Sequence, residues 1–174
     1  MRFTDFLKAA VLMCGGAATL LAVVTVLVAE RDDEPTVVFI GAAWWFLAAV
    51  YGAFLGRRAQ TNPSIARLLA DARWQTSLPE VQPGRVLLNR LWPLIVITLA
   101  SGGLAFLFPQ VAAIACGFAI VAALAWRRQE SAVTAIEGRD GVRFYIERTS
   151  PVSPIKLVRT PGFRTAEPPV DHVT

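Results

Sequence analysis

The chain has 174 residues, of which 55% are hydrophobic and only 17% are charged, whereas a soluble domain carries about 25% charged residues. Basic residues exceed acidic ones by 17 to 13, and the apolar residues are concentrated in long runs. This composition excludes an ordinary soluble domain and favours an integral membrane protein.

Four of these runs contain no ionisable side chain, and they cover residues 9–29, 37–55, 91–108 and 111–126. About 20 apolar residues cross a bilayer core. The first run is longer than the 7 to 15 residues typical of a signal-peptide core, so we expect a span that is not cleaved. The last two runs are separated only by Pro109-Gln110, which predicts a tight helical hairpin. The fold class predicted for residues 1–128 is all-α transmembrane, a four-helix bundle of two helical hairpins, with a loop over residues 56–90.

The basic residues indicate how the chain lies in the membrane. With four spans, sixteen of the seventeen Lys and Arg residues lie on one side, because only Arg31 falls between the first two runs. An excess of Lys and Arg marks the cytoplasmic side. Arginine also outnumbers lysine by fifteen to two, which suggests a GC-rich bacterial genome. We therefore predict a multi-pass protein of the bacterial plasma membrane with both termini in the cytoplasm.

Small residues recur at every fourth position in two of the predicted spans. They are Ala48, Gly52 and Gly56 in the second span, and Ala115, Ala119 and Ala123 in the fourth. Small residues let helix backbones approach closely in lipid. The pattern predicts helix packing inside the bundle, and self-association or docking to a larger membrane partner is the alternative.

The sequence shows no chemistry of the kind that enzymes use. The four runs lack the intramembrane ionisable residue that normally marks a transport or proton pathway. Cys14 and Cys116 have no metal-binding or redox spacing, and the only histidine is His172. Known catalytic sequence motifs are also absent. We predict no cofactor, no metal site and no enzymatic activity.

The loop over residues 56–90 contains a predicted short helix. Asn62 is a candidate N-cap and Pro63 suits the first helical position. Ile65, Leu68 and Leu69 then share one face. Two placements remain open, because such a helix can lie in the membrane interface or pack beneath the bundle.

The tail over residues 129–164 is predicted to contain a β-hairpin. Val142, Phe144 and Ile146 alternate with polar residues, and Asp140-Gly141 is a favoured turn pair. The first strand of this hairpin is predicted at residues 133–137. Residues 155–158 (IKLV) stand among prolines and are expected to add as a strand to a partner's sheet. Residues 165–174 are expected to be disordered.

Basic and aromatic side chains of the tail are predicted to contact a partner. The set comprises Arg143, Phe144, Tyr145, Ile146, Arg148, Lys156, Leu157 and Arg159. The expected partners are anionic membrane lipid and another membrane or cytoplasmic protein. Nucleic acid is not expected, because the positive-inside bias already accounts for these arginines.

The run FYIERTSPVSPIKLVRTPGF, together with the layout of the spans, resembles small four-helix membrane proteins of actinobacteria. This resemblance implies a source and no particular activity. The predicted function is that of a non-enzymatic accessory or scaffold protein. The alternative is a small transporter or channel subunit, in which oligomerised bundles enclose a pore lined by Thr, Ser and Trp.

Overall fold

The computed structural model describes residues 1–57, 63–74, 82–147 and 155–161. This part of the chain is mostly helical and carries one small sheet. Its helices are α1 (Phe3–Arg31), α2 (Pro35–Leu55), α3 (Pro63–Ala70), α4 (Pro83–Leu104), α5 (Pro109–Trp126) and α6 (Gln129–Asp140). Its strands are β1 (Arg73–Trp74), β2 (Val142–Ile146) and β3 (Leu157–Pro161).

Four helices, α1, α2, α4 and α5, are long and apolar enough to cross a membrane. Large apolar side chains cover their outer surfaces, and Leu12, Phe39 and Phe118 are 75%, 76% and 63% exposed. A soluble monomer rarely exposes so much contiguous apolar surface. The prediction of four helices that are long and apolar enough to span a membrane is confirmed, and these helices are compatible with a multi-pass membrane protein. Helix α4 begins at Pro83, eight residues before the predicted apolar run.

Helix α1 runs antiparallel to α5 and then to α6. Three contacts define this register: Cys116 Sγ to the Ala18 carbonyl at 3.2 Å, Lys8 Nζ to Glu130 Oε1 at 3.2 Å, and Arg2 Nη2 to Glu137 Oε2 at 3.1 Å. Because the same helix contacts both, α6 continues the course of α5. The 29 residues of α1 span about 43 Å, which exceeds a bilayer core of about 30 Å. The surplus is its first turns, which lie against α6.

Helix α5 is the centre of the bundle, because it packs extensively on both α1 and α2. Small side chains, including Ala17, Ala18 and Ala112, form much of the α1–α5 contact. On the other side, the indole N–H of Trp45 donates to the Ala113 carbonyl at 2.8 Å, and that of Trp44 donates to the Ile114 carbonyl at 3.3 Å. Donors within lipid need a partner inside the protein, and α5 supplies it.

A second apolar core lies at the end of the bundle where α1 begins. A three-stranded sheet borders this core, with the strand order β1-β3-β2, in which β2 is antiparallel and β1 is parallel to β3. We call the first turns of α1, α3, the first turns of α4, α6 and this sheet the sheet module. The core of the sheet module includes Phe3, Phe6, Leu7, Ile65, Leu69, Val86, Val133, Phe144, Ile146 and Leu157.

Glu137 connects three parts of the sheet module. Its side chain is only 6% exposed, and Oε1 accepts a hydrogen bond from the Phe144 backbone N–H at 2.9 Å. Its other oxygen, Oε2, accepts a hydrogen bond from the Arg2 guanidinium, with which it forms an ion pair. The N–H of Ile146 also donates to the Met1 carbonyl at 3.2 Å. The start of α1 is thus fixed to both α6 and β2.

Two predictions for the tail are wrong. Residues 133–137 belong to helix α6, where Val133 and Glu137 are buried one turn apart. Gly141 ends this helix in the left-handed conformation (φ 63°), the usual role of glycine after a helix. Strand β2 therefore pairs with the later strand β3. Because β3 lies between β1 and β2, Leu157 and Val158 of the predicted segment pair within this chain's own sheet.

Helix α3 begins at Pro63, as predicted, while Asn62 lies outside the described residues. Ile65 and Leu69 are buried in the core of the sheet module, and Leu68 packs against that core. The apolar face of α3 therefore packs beneath the bundle, and it is not directed at the membrane interface.

Candidate functional site

The predicted stripe of α2 faces α5. Ala48 is 2% exposed, and Gly52 and Gly56 are also buried. A methyl group at Gly52 would lie 3.0 Å from both Leu124 Cβ and Val121 Cα, and one at Gly56 would overlap the Leu124 carbonyl oxygen. Glycine at these two positions allows the close approach of α2 and α5.

The predicted stripe of α5 lies in the interior of the bundle. Ala119 is buried, and Ala115 and Ala123 are half-buried. Ala115 and Ala119 belong to the apolar cluster that α5 shares with α1. The neighbouring Gly117 faces the Trp44 indole, which leaves no room for a side chain there.

The predicted partner-contact residues fall into two groups. Phe144, Ile146 and Leu157 are 3%, 1% and 3% exposed in the core of the sheet module, so their side chains offer little to a partner. Arg143 and Lys156 are exposed, and Tyr145 and Arg159 are half-buried. Arg148 lies outside the described residues.

The sheet register places Arg143 and Arg159 on opposite faces of the sheet. Phe144, Arg159 and Trp74 are aligned across β2, β3 and β1, and aligned residues share one face of a sheet. Arg143 and Tyr145 alternate with Phe144 and therefore lie on the opposite face. The predicted set is thus divided between the face that carries Phe144 and the opposite face, where Arg143 is exposed but its neighbours Val158 and Thr160 on β3 are buried.

Arg159 occupies the middle of the aligned row. Its guanidinium carbon lies 4.9 Å from the centroid of the Trp74 ring, a cation–π contact. Its Nε is buried and has no hydrogen-bond partner among the described residues. Trp74 is 61% exposed, so this pair lies at the border between core and solvent.

A groove of about 450 Å³ opens beside this pair, between α3, α6 and the sheet. We call it the Trp74 groove. Its floor is apolar and consists of Leu69, Ile136, Val142 and Phe144. Trp74 and Arg159 border it, together with Arg139 and Asp140 at the end of α6.

The two charges at the end of α6 neutralise each other. Arg139 Nε donates to Asp140 Oδ1 at 2.8 Å. This hydrogen bond lowers the pKa of the Asp140 carboxyl below its ordinary value, so the carboxylate stays ionised near neutral pH. Arg159 is therefore the cation beside the groove that has no carboxylate within ion-pair distance in the described part of the chain.

A second groove, of about 570 Å³, lies at the opposite end of the bundle. Its walls come from the first turns of α2 and α5, including Ile40, Trp44 and Ile114, and Asp33 and Glu34 stand at its mouth. We call it the acidic-end groove. It joins apolar walls to an acidic entrance.

Sequence reasoning did not identify Glu137 or Trp74 as parts of a site. In the sequence, Glu137 resembles the other acidic residues near arginines, because its burial depends on the distant partners Arg2 and Phe144. Trp74 resembles the last residue of a short helix. The one sequence feature that could have indicated the burial of Glu137 is its helical spacing with Val133 and Ile136, which places all three on one face.

Comparison of this chain with protein-family models, with curated proteins and with solved structures gives no match. Among residues 1–57, 63–74, 82–147 and 155–161, no three His, Cys, Asp or Glu side chains are grouped as metal ligands.

Proposed function

We propose that this protein is a non-enzymatic accessory or scaffold protein of the bacterial plasma membrane, which presents the sheet module to a partner in the cytoplasm. The observation that carries the proposal is the second apolar core. A chain that served only as a membrane anchor would need no buried core beyond its four apolar helices. Here the tail, the loop helix α3 and the start of α1 build one together.

The charges at the two ends of the bundle support this orientation. Arg57, Arg127 and Arg128 follow α2 and α5 at the end that carries the sheet module, and Arg128 donates to the Arg57 carbonyl at 3.2 Å. At the other end, Arg31 stands among four acidic residues within 30–34. By the positive-inside rule, the sheet module and both termini are cytoplasmic.

Exposed basic side chains beside the sheet supply the partner surface. Arg143 on β2 and Lys156 just before β3 are exposed, and Tyr145, on the same face of β2 as Arg143, is half-buried. Exposed cations beside an aromatic ring fit an acidic protein surface, since complementary charge steers association and fixes register. Anionic lipid is the second ligand, and it suits the arginines at the helix ends.

The transporter or channel subunit is the rival function. The acidic-end groove favours it, because a pathway needs an opening between helices. Against it, the hydroxyls of Thr25 and Thr98 donate to the carbonyls of Leu21 and Leu94 in their own helices, at 2.8 and 2.7 Å. Hydroxyls satisfied in this way contribute little to a polar pore lining.

The test compares full-length proteins purified from native membranes in mild detergent. We expect a defined protein to co-purify with the wild type and to be lost from the double variant Arg143→Glu with Lys156→Glu. Arg31→Gln, at the acidic end, is the control that should retain it. Substitutions are preferable to a truncation at Arg128, because that truncation would expose Phe3 and Phe6.

The rival predicts the opposite result. Solute flux through liposomes would change in Thr98→Val and Ser101→Ala, and no protein would depend on Arg143 and Lys156 for its recovery. That outcome would overturn the scaffold function.

A further inference from the structure

We propose that the Trp74 groove binds an acidic segment of a partner protein, with a carboxylate on Arg159 and a neighbouring apolar side chain on the groove floor. This inference rests on the proposed scaffold function. It selects one ligand, a protein segment, from the two that the function admits.

Arg159 gives the first reason. A buried guanidinium N–H without an acceptor loses hydration and gains nothing in return, so such groups in native proteins call for an explanation. The Nε of Arg159 is in this state, while the Trp74 ring holds the guanidinium in place from one side. An incoming carboxylate would pair with the half-buried guanidinium group, which borders the groove, and form a charge-assisted hydrogen bond.

The groove floor gives the second reason. Ala70, Trp74 and the half-buried Ile136 offer apolar surface in a space of about 450 Å³, which falls within the usual size of ligand pockets. A free inorganic anion would leave this surface uncovered. A peptide that carries an apolar residue beside an acidic one covers the floor and reaches Arg159 together.

The residues that border the Trp74 groove carry a net positive charge, so the ligand group beside them is expected to be negatively charged. Arg139 and Asp140 cancel as an ion pair at 2.8 Å. Arg159 remains, so the complementary group is an anion.

The distance from the membrane favours protein over lipid. Arg127 and Arg128 follow α5, and α6 continues its course for 12 residues to Asp140. At 1.5 Å per residue, the far end of α6 lies about 18 Å beyond those arginines. This distance exceeds a Debye length of about 8 Å at physiological salt. Lipid headgroups therefore reach Arg127 and Arg128 more readily than they reach Arg159.

The probe is a fluorescein-labelled peptide with the repeat Glu-Leu-Asp-Leu, added to the full-length protein in detergent micelles and followed by fluorescence anisotropy. We expect saturable binding that weakens about tenfold or more in Arg159→Met, the effect of losing a charge-assisted hydrogen bond. Arg31→Met removes the same charge at the opposite end of the bundle and should retain the affinity. The peptide with Gln and Asn in place of the acids should bind weakly.

A second variant covers the case in which Arg159→Met unfolds the sheet module. Ala66 is an exposed residue of α3 that lines the groove. Ala66→Trp should therefore block the peptide while far-UV circular dichroism and the melting temperature stay at wild-type values.

Three outcomes overturn the inference: equal losses in Arg159→Met and Arg31→Met, unchanged binding in Ala66→Trp, or binding of phosphatidylglycerol vesicles at Arg159 with none of the acidic peptide. If the peptide fails while a defined partner protein still co-purifies through Arg143 and Lys156, only the groove inference fails. If that protein is also absent, the scaffold function fails with it.

Discussion

Replacement of Gly56 by alanine should separate α2 from α5. The added methyl group would overlap the carbonyl oxygen of Leu124, which is backbone and cannot rotate away. Helix α5 cannot simply retreat, because its other side packs on α1. Overpacking of this kind costs about 1–3 kcal/mol, so Gly56→Ala should lower the free energy of unfolding by an amount in that range.

Other glycines provide a graded series for the same substitution. A methyl at Gly41 would meet Ala113 Cβ at 3.5 Å, an ordinary contact, and one at Gly52 would meet Val121 Cα at 3.0 Å. A methyl at Gly15 would meet nothing within 4 Å. Since glycine inside a helix is destabilising by about 0.5–1 kcal/mol relative to alanine, Gly15→Ala should be neutral or stabilising.

The assay is reversible unfolding in mixed micelles of increasing SDS content, followed by far-UV circular dichroism. From the most to the least stable variant, the expected order is Gly15→Ala, Gly41→Ala, Gly52→Ala and Gly56→Ala. If Gly56→Ala were as stable as Gly15→Ala, α2 and α5 would not be in close contact. If it instead changed only the oligomeric state, the stripe would pair two copies of the chain.

Three further outcomes follow from the same structure. Glu137→Gln should lower the melting temperature, because weakening a buried acceptor of two hydrogen bonds costs about 1–3 kcal/mol. Glu130→Gln should change stability by about 1 kcal/mol or less, since the Lys8–Glu130 pair is accessible to solvent, with side chains 58% and 31% exposed. Trp45→Phe should cost about 0.5–1.5 kcal/mol through the lost hydrogen bond to Ala113, and an equal loss in Trp126→Phe would contradict that assignment. Cys14, which is half-buried, should react with N-ethylmaleimide in micelles before the buried Cys116 does, and the reverse order would contradict the α1–α5 register.

The four long apolar helices were predictable because a membrane span requires a long apolar run, and the sequence contains four such runs. The start of α3 was predictable for a similar local reason, since Pro63 favours a first helical turn. The early start of α4 at Pro83 was not, because Arg85 and Arg90 interrupt the apolar run without interrupting the helix. Composition locates the part of a helix that lipid contacts and says little about where the helix ends.

The sheet module was harder to predict because distant segments build it. Strand β2 was recognised from its alternating pattern, but its partner β3 lies beyond residues 147–156, and β1 comes from the loop between α2 and α4. The turn signal at Asp140-Gly141 has two uses, a hairpin turn or a helix end, and local residues do not choose between them. Burial of Glu137 and stacking of Arg159 depend on these long-range pairings, so the Trp74 groove was invisible in the sequence.

The central claim is that the exposed residues Arg143 and Lys156 of the sheet module contact a partner protein on the cytoplasmic side of the native membrane. The most direct test incorporates a photo-crosslinking amino acid at position 156 of the full-length chain in cells, with position 39 on the outer apolar surface of α2 as the control. A discrete protein adduct that forms on illumination at position 156, and is absent at position 39, is the predicted result. Adducts at position 39 alone, or at neither position, would contradict the claim.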